Sequence, residues 1–288
     1  MEFKSGFVSI VGNPNVGKST LFNKLIEEDL SIVTHKPQTS RNKLLGLINS
    51  NKYQIILIDT PGFVKPSYKL HDYMNSNIFS SLEGSDLVIY LTDINEKKIN
   101  QNLLSTIIKK NIPLYCIVNK SDLITNDGGD YSKIFYSHKF EKFDLISSKS
   151  NEDIEKVKNN IIELLPMHEP YYSKNCYTTS TERQITEEII RKYIFLNYKE
   201  EIPYSSYVNV CSFKESKNII DIYVYIYIEN NNQKKIIIGK RGMGLKKLGT
   251  NSRYELEKFF SKKIYLDLTV KIKKWRSNDI FLNYYLKK

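Results

Sequence analysis

Two short stretches of the chain carry residue types at spacings suited to a phosphorylated ligand. Gly12-Asn13-Pro14-Asn15-Val16-Gly17-Lys18-Ser19 has the GxxxxGKS spacing and follows an apolar run, Phe7 to Val11. In that setting glycines let successive backbone N–H groups curl around a β-phosphate, Lys18 brings a point charge to the β and γ oxygens, and the Ser19 hydroxyl is a hard ligand for magnesium. Thr20 is counted with this phosphate-binding set. Asn119-Lys120-Ser121-Asp122 closes a second apolar run, Leu114 to Val118, and strand ends are where α/β sheets hold their ligands. A buried carboxylate at Asp122 would accept from N1–H and N2–H2 of guanine; adenine offers no donors there and would leave the carboxylate unpaired. Asn119 and Lys120 would buttress the base and the phosphate loop. The expected ligands are GTP and GDP. The competing reading is an ATPase in which residues 119–122 form an ordinary turn.

Asp59-Thr60-Pro61-Gly62 follows the apolar run ending at Ile58. Asp59 would hold magnesium through water and the Gly62 N–H would touch the γ-phosphate, so that loss of this phosphate frees the loop beyond. A second switch segment spans Ile32 to Asn42 and includes Gln38, Thr39, Ser40, Arg41 and Asn42. Thr39 and Ser40 each offer a hydroxyl to the metal and γ-phosphate, and spacing alone does not choose between them. Position 63 is Phe63, where related hydrolases can carry the glutamine that orients the attacking water. No side chain there can act as catalyst, which predicts slow intrinsic hydrolysis raised by a partner or an additional cation.

Positioning these groups requires a layered scaffold. Apolar runs at Phe7 to Val11, Tyr53 to Ile58, Leu87 to Leu91 and Leu114 to Val118, mostly separated by helix-length segments, predict a mainly parallel, doubly wound α/β sheet. A helix is predicted from Asn151 to Leu165, with Ile154, Val157, Ile161, Leu164 and Leu165 near the 3.6-residue period, stopped by Pro166. The text then turns to prolines, paired tyrosines and small polar residues, so a first domain is expected over 1–168, a linker over 169–181 and a second domain over 182–288. The second reads as a small α+β domain: helix Glu182 to Tyr198, two strands, a glycine turn between helices, helix Met243 to Phe260, and strand Ile264 to Ile272. An antiparallel sheet is expected. Along Ile219 to Glu229 the residues Ile220, Ile222, Val224, Ile226 and Ile228 alternate with Asp221, Tyr223, Tyr225 and Tyr227, so one face is core.

The 288 residues carry a formal charge of +11, and it is unevenly placed. Met1 to Leu165 has 20 Lys+Arg against 19 Asp+Glu; Pro166 to Lys288 has 23 against 13. The basic second part suits a polyanion, either nucleic acid or an anionic membrane surface. Cys116, Cys176 and Cys211 form no CxxC pair, which predicts a reducing compartment, no disulfide and no zinc site. No signal-peptide pattern opens the chain and no run approaches the ~18 apolar residues of a membrane span, so a soluble cytosolic protein is expected. His35, His71, His138 and His168 show no spacing for metal or acid/base work.

These residues together resemble the Era family of bacterial GTPases, nearly end to end. The first part matches through GNPNVGKST (12–20), PQTSRNK (37–43), DTPG (59–62), NKSD (119–122) and ISS (146–148); the second through EEIIRK (187–192), EIPYS (201–205), IIIGKRG (236–242) and LKKLGTNSRYELEKFF (245–260). The second set resembles a type II KH domain, with Gly239-Lys240-Arg241-Gly242 as its GxxG loop, a place where RNA backbone can approach closely. The extra Gly244 would add backbone freedom at the helix start. The resemblance implies guanine contacts from Ser147, Ser148 and Lys149, and RNA contacts from Gly239, Lys240, Arg241, Gly242, Lys246, Lys247 and Arg253. It implies binding to the 3′ end of the small-subunit (16S) ribosomal RNA, a role in 30S subunit maturation, work as a monomer, and a loose association with the inner face of the cell membrane. It also matches Asn15 to the asparagine that holds potassium in potassium-stimulated relatives. The family usually has Thr at Ser40, which keeps the hydroxyl and sets Ser40 beside Ser19 and Asp59 as expected metal ligands, and usually has Ala at Ser148.

Against this stands a switch whose second domain binds protein or membrane and not RNA. Tyr223, Tyr225 and Tyr227 could stack on bases, but tyrosines on a sheet face are also ordinary strand formers. Trp275 is expected to pack at the end of the last strand.

Overall fold

The computed structural model describes residues 3–33, 39–67, 69–96, 100–124, 140–174 and 176–276. Its chain clusters into two compact units, the first holding Met1–Ser31, Ser40–Lys65 and Met74–Thr179, the second built on Ser180–Lys288.

In the first unit the described elements run β1 (Lys4–Val11), α1 (Lys18–Ile26), β2 (Leu44–Asn49), β3 (Tyr53–Asp59), α2 (Lys69–Leu82), β4 (Leu87–Asp93), α3 (Gln101–Lys109), β5 (Leu114–Asn119), β6 (Lys142–Leu145) and α4 (Asn151–Leu164). The strands form one sheet in the order β2-β3-β1-β4-β5-β6, parallel except for β2, which runs antiparallel to β3. Every residue of β4 and β5 is buried, the pattern of strands covered on both faces. One side of the core centres on Ile10, Leu21, Phe22, Ile89 and Ile117, the other on Ile78, Tyr90, Leu104 and Cys116. The helix after β6 begins where expected: the Ser150 side chain accepts from Asp153 N–H and acidic Glu152 and Asp153 fill the first turn, satisfying free N–H groups and the helix dipole. The sequence did not predict β2 or β6.

The segment read as a linker is held to the outer edge of this sheet. Tyr177 O accepts from Leu47 N–H at 2.9 Å, and Cys176 O accepts from Asn49 Nδ2 at 2.8 Å. Gln54 Oε1 accepts from the N–H groups of Tyr171 and Tyr172 while its Nε2 donates to Tyr172 O. Edge-strand groups that would otherwise be open are thereby paired.

The second unit contains α5 (Glu182–Asn197), α6 (Ile202–Ser205), β7 (Tyr207–Glu215), β8 (Ile219–Ile228), α7 (Asn231–Ile238), α8 (Met243–Phe260) and β9 (Lys263–Ile272). A reciprocal capping box between Thr181 and Gln184 starts α5. The isoleucine face of β8 packs with Ile190, Ile194, Ile237, Leu248 and Leu256 in one core. One expectation changes here. The sheet is mixed, because β9 pairs parallel to β8 while β7 pairs antiparallel; the helical segment from Asn231 to Phe260 is the long crossover a parallel neighbour needs. On α8 it is Phe260 that packs against the core, whereas Phe259 is exposed. Trp275 is fully buried, its Nε1 donating to Ser205 O at 2.8 Å. Among the described residues no helix is long and apolar enough to cross a membrane.

Candidate functional site

The carboxyl ends of β1, β3, β4 and β5 lie at one edge of the sheet, and the residues just beyond or at them are Gly12, Asp59, Asp93 and Asn119. The phosphate loop turns through Asn15 (φ 66°) and Gly17 (φ 101°) into α1. Gly17 is required twice over: its φ is unfavourable for a side chain, and a Cβ would sit 2.3 Å from Asn119 Nδ2. That amide donates to Val16 O at 2.9 Å, so the segment expected to hold the base is fastened to the one expected to hold the phosphates. Lys18 is buried, its Nζ donating to Asn13 O at 2.8 Å and Gly12 O at 3.2 Å. Burial pushes its pKa down to about 8, opposed by the nearby carboxylates of Asp59 and Glu96. Asn13 is gripped by Glu96, whose other oxygen accepts from Thr92. Pro14 faces Gly62 so closely that a Cβ at Gly62 would meet Pro14 backbone at 2.8 Å.

Ser19, Ser40 and Asp59, the three expected metal ligands, lie together. Ser19 Oγ donates to Asp59 Oδ2 at 2.7 Å and lies 3.0 Å from Ser40 Oγ. Three hard oxygen groups beside a buried lysine fit a magnesium ion bound with phosphate. Thr60 is turned away, its hydroxyl donating to Ile10 O, and Phe63 N–H donates to Gly12 O at 3.1 Å. The Phe63 ring packs edge-on to Phe79 at 6.4 Å in the apolar layer. Arg41 is buried and Asn77 Nδ2 donates to its carbonyl. Gln38 lies outside the described residues.

Around the expected guanine position Asn119 Oδ1 accepts from both Ser148 N–H and Ser148 Oγ, each at 2.9 Å. Lys120, at φ 66°, is ion-paired with Asp93. Asp122 is exposed, unlike the buried carboxylate expected, and its oxygens accept from Ser147 Oγ at 2.8 Å and Lys149 Nζ at 2.6 Å. The hydrogen bond from Lys149, then that from Ser147, holds its carboxyl below the usual range. A base would have to bring the desolvation that the protein alone does not supply.

In the second unit Gly239 to Gly242 turns between α7 and α8, with Lys240 and Arg241 exposed and Arg241 at φ 51°. Gly244 has a different role from the one expected: a Cβ there would lie 2.8 Å from Ile237 O, so it lets the two helices approach. A groove of about 380 Å³ between α8 and β9 is lined by Gly242, Lys246, Gly249, Arg253, Tyr265 and Leu268, among others. Lys247 is exposed but does not line it. The tyrosine row divides: Tyr223 is exposed, Tyr225 lies under Lys271 Nζ at 3.3 Å, and Tyr227 is buried near Tyr207. Asp93 was within reach of sequence reasoning, standing at the end of an apolar strand; Glu96 and Tyr265 follow no motif, and neither does Ser31, which donates to Asp59.

Fold and site define the class: a P-loop GTPase domain followed by a KH domain. A family model described as "50S ribosome-binding GTPase" matches residues 7–120 and one described as "KH domain" matches 201–276. GTPase Era of Ruminiclostridium cellulolyticum is 38% identical over 98% of this chain and 97% of its own, and the chloroplastic GTPase ERA-like protein of Arabidopsis thaliana is 40% identical over 98% of this chain and 68% of its own. The chain belongs to the Era family of GTPases, enzymes that convert GTP and water to GDP and phosphate. Two solved structures are similar throughout: an Aquifex aeolicus Era variant bound to GDP.AlF4- (TM-score 0.91, 31% identity, 98% of this chain and 99% of that one), and Era in complex with MgGDPNP and nucleotides 1506–1542 of 16S ribosomal RNA (TM-score 0.92, 32% identity, 98% of each).

Proposed function

We propose that this GTPase is a guanine-nucleotide switch that binds small-subunit (16S) ribosomal RNA near its 3′ end and acts in assembly of the 30S subunit. The observation that carries the RNA part is the groove beside Gly242, where Lys246 and Arg253 flank an apolar floor and Tyr265 offers an aromatic ring. Backbone phosphates would meet Lys240 and Arg241 at the glycine loop while unstacked bases enter the groove. The structure of a relative with a 16S fragment supports the same ligand. In this reading residues 1–168 bind nucleotide, 169–181 link, 182–288 bind RNA, and the protein works as a cytoplasmic monomer that associates loosely with the inner face of the membrane.

At the nucleotide, Lys18 and the N–H groups of residues 12 to 20 hold the phosphates, and Asp122, Ser147 and Lys149 meet the base. Ser19, Ser40 and Asp59 hold magnesium, which when bound neutralises charge on the β and γ oxygens. Phe63, packed in the apolar layer, gives the attacking water no partner, so unassisted hydrolysis is slow.

The test is the affinity of the full chain for a short RNA of the ribosomal 3′ end, measured with GTP analogue and GDP, before and after Lys240→Glu with Arg241→Glu. A loss on the order of a hundredfold at moderate salt is expected from reversing two contacts. Unchanged affinity would favour a protein or membrane partner.

A further inference from the structure

Ser31 is buried, 5% exposed, and lies one residue before the switch segment 32–42. Its backbone is gripped at two points by a single side chain on α1: Asn23 Nδ2 donates to Ser31 O and Asn23 Oδ1 accepts from Ser31 N–H, both at 2.8 Å. With its backbone so fixed, the Ser31 hydroxyl donates to Asp59 Oδ2 at 2.6 Å. The same oxygen accepts from Ser19 Oγ. A short hydrogen bond from a fixed hydroxyl to a buried carboxylate is charge-assisted and directional, and partners of this kind orient a carboxylate that serves a metal.

We propose that Ser31, held by Asn23, is a positioning residue for Asp59 toward magnesium, and that it fastens the metal site to the root of the switch segment. The inference rests on the reading of Ser19, Ser40 and Asp59 as the magnesium site. Asp59 Oδ2 is reached by three hydroxyls, from Ser19 on the phosphate-loop helix, from Ser31 at the start of the switch and, at 3.5 Å, from Ser40 within it. A carboxylate serving a metal would therefore be held by Ser31 as well, and Asn23 ties Ser31 to α1. The hydrogen bonds described for the side chains of Asn23 and Ser31 run to Ser31 and to Asp59, not to Lys18 or the base-reading residues, so their contribution belongs to the metal-dependent part of binding.

The experiment is retention of N-methylanthraniloyl-GDP by the full chain, titrated with magnesium chloride and repeated in excess EDTA. Wild type retains the nucleotide longer as magnesium rises. For Ser31→Ala the magnesium concentration at half-maximal retention rises by roughly tenfold or more, the range seen for such outer partners, while affinity in EDTA is unchanged. Asn23→Ala shifts the midpoint in the same direction with the hydroxyl still present. A Ser31→Ala titration that superposes on wild type, or a loss equally large in EDTA, overturns the proposal; should that variant not fold, an unshifted Asn23→Ala does so. A wild type indifferent to magnesium would instead refute the metal site itself.

Discussion

The side-chain amide of Asn119 donates to the carbonyl of Val16 at 2.9 Å. The segment proposed to read guanine is thus fastened to the one proposed to hold the phosphates, over Gly17, where a Cβ would stand 2.3 Å from Asn119 Nδ2. Gly17→Ala must displace that amide and also strain φ, together about 2–3 kcal/mol. Guanine-nucleotide affinity is expected to fall roughly 30- to 150-fold, read by equilibrium titration with labelled GDP.

Ser148 places a second donor on Asn119 Oδ1 in addition to its own backbone N–H. Ser148→Ala removes the hydroxyl donor and leaves the backbone one, a change of about 0.5–1.5 kcal/mol. GDP release should quicken by roughly two- to tenfold, measured by chasing labelled GDP with unlabelled nucleotide.

Asn15 is exposed at the turn of the phosphate loop, with φ 66°, and Phe63 is committed to the apolar layer. A monovalent cation held by Asn15 would supply positive charge in addition to that of Lys18. Hydrolysis should be faster in potassium than in sodium by roughly tenfold or more, and Asn15→Ala should lose the difference. Equal rates for wild type in the two salts would remove the cation from the account.

Glu187 on α5 is mostly buried and accepts from Val210 N–H at 2.8 Å. Burial first, then the neighbouring Glu188 charge, raises its pKa from 4.5 to about 7, against lowering by the Val210 hydrogen bond and by Arg191 and Arg183. The folded state therefore binds more protons than the unfolded one between these values, so this contribution is complete below about 4.5 and is lost as pH rises through about 7. The unfolding free energy of the wild type, from urea titration, should fall between pH 5.5 and 7.5 relative to Glu187→Gln, by an amount on the order of 1–3 kcal/mol.

What could be read in advance follows from how each feature is encoded. The strands Leu87–Asp93 and Leu114–Asn119 are continuous apolar runs because helices cover both faces, and the nucleotide motifs are contiguous in sequence. The edge strands escaped for physical reasons: Leu44–Asn49 is interrupted by Gly46 and ends in a polar residue, and Lys142–Leu145 is four residues with only one buried. Alternation in Ile219–Ile228 gave its core face but not the direction of its neighbour, which depends on the crossover. Gly244 looked like local freedom and is a helix–helix approach. The Asn23–Ser31–Asp59 chain joins residues 8 and 28 positions apart, a relation that no local period or motif expresses.

Sequence-selective RNA binding by the full chain is the property that most directly tests the proposed function. With a non-hydrolysable GTP analogue bound, affinity for a single-stranded RNA of the small-subunit ribosomal 3′ end should exceed that for a shuffled RNA of equal length by on the order of 10³-fold or more. Equal affinity for the two RNAs, or an affinity lost to anionic vesicles in competition, would contradict it.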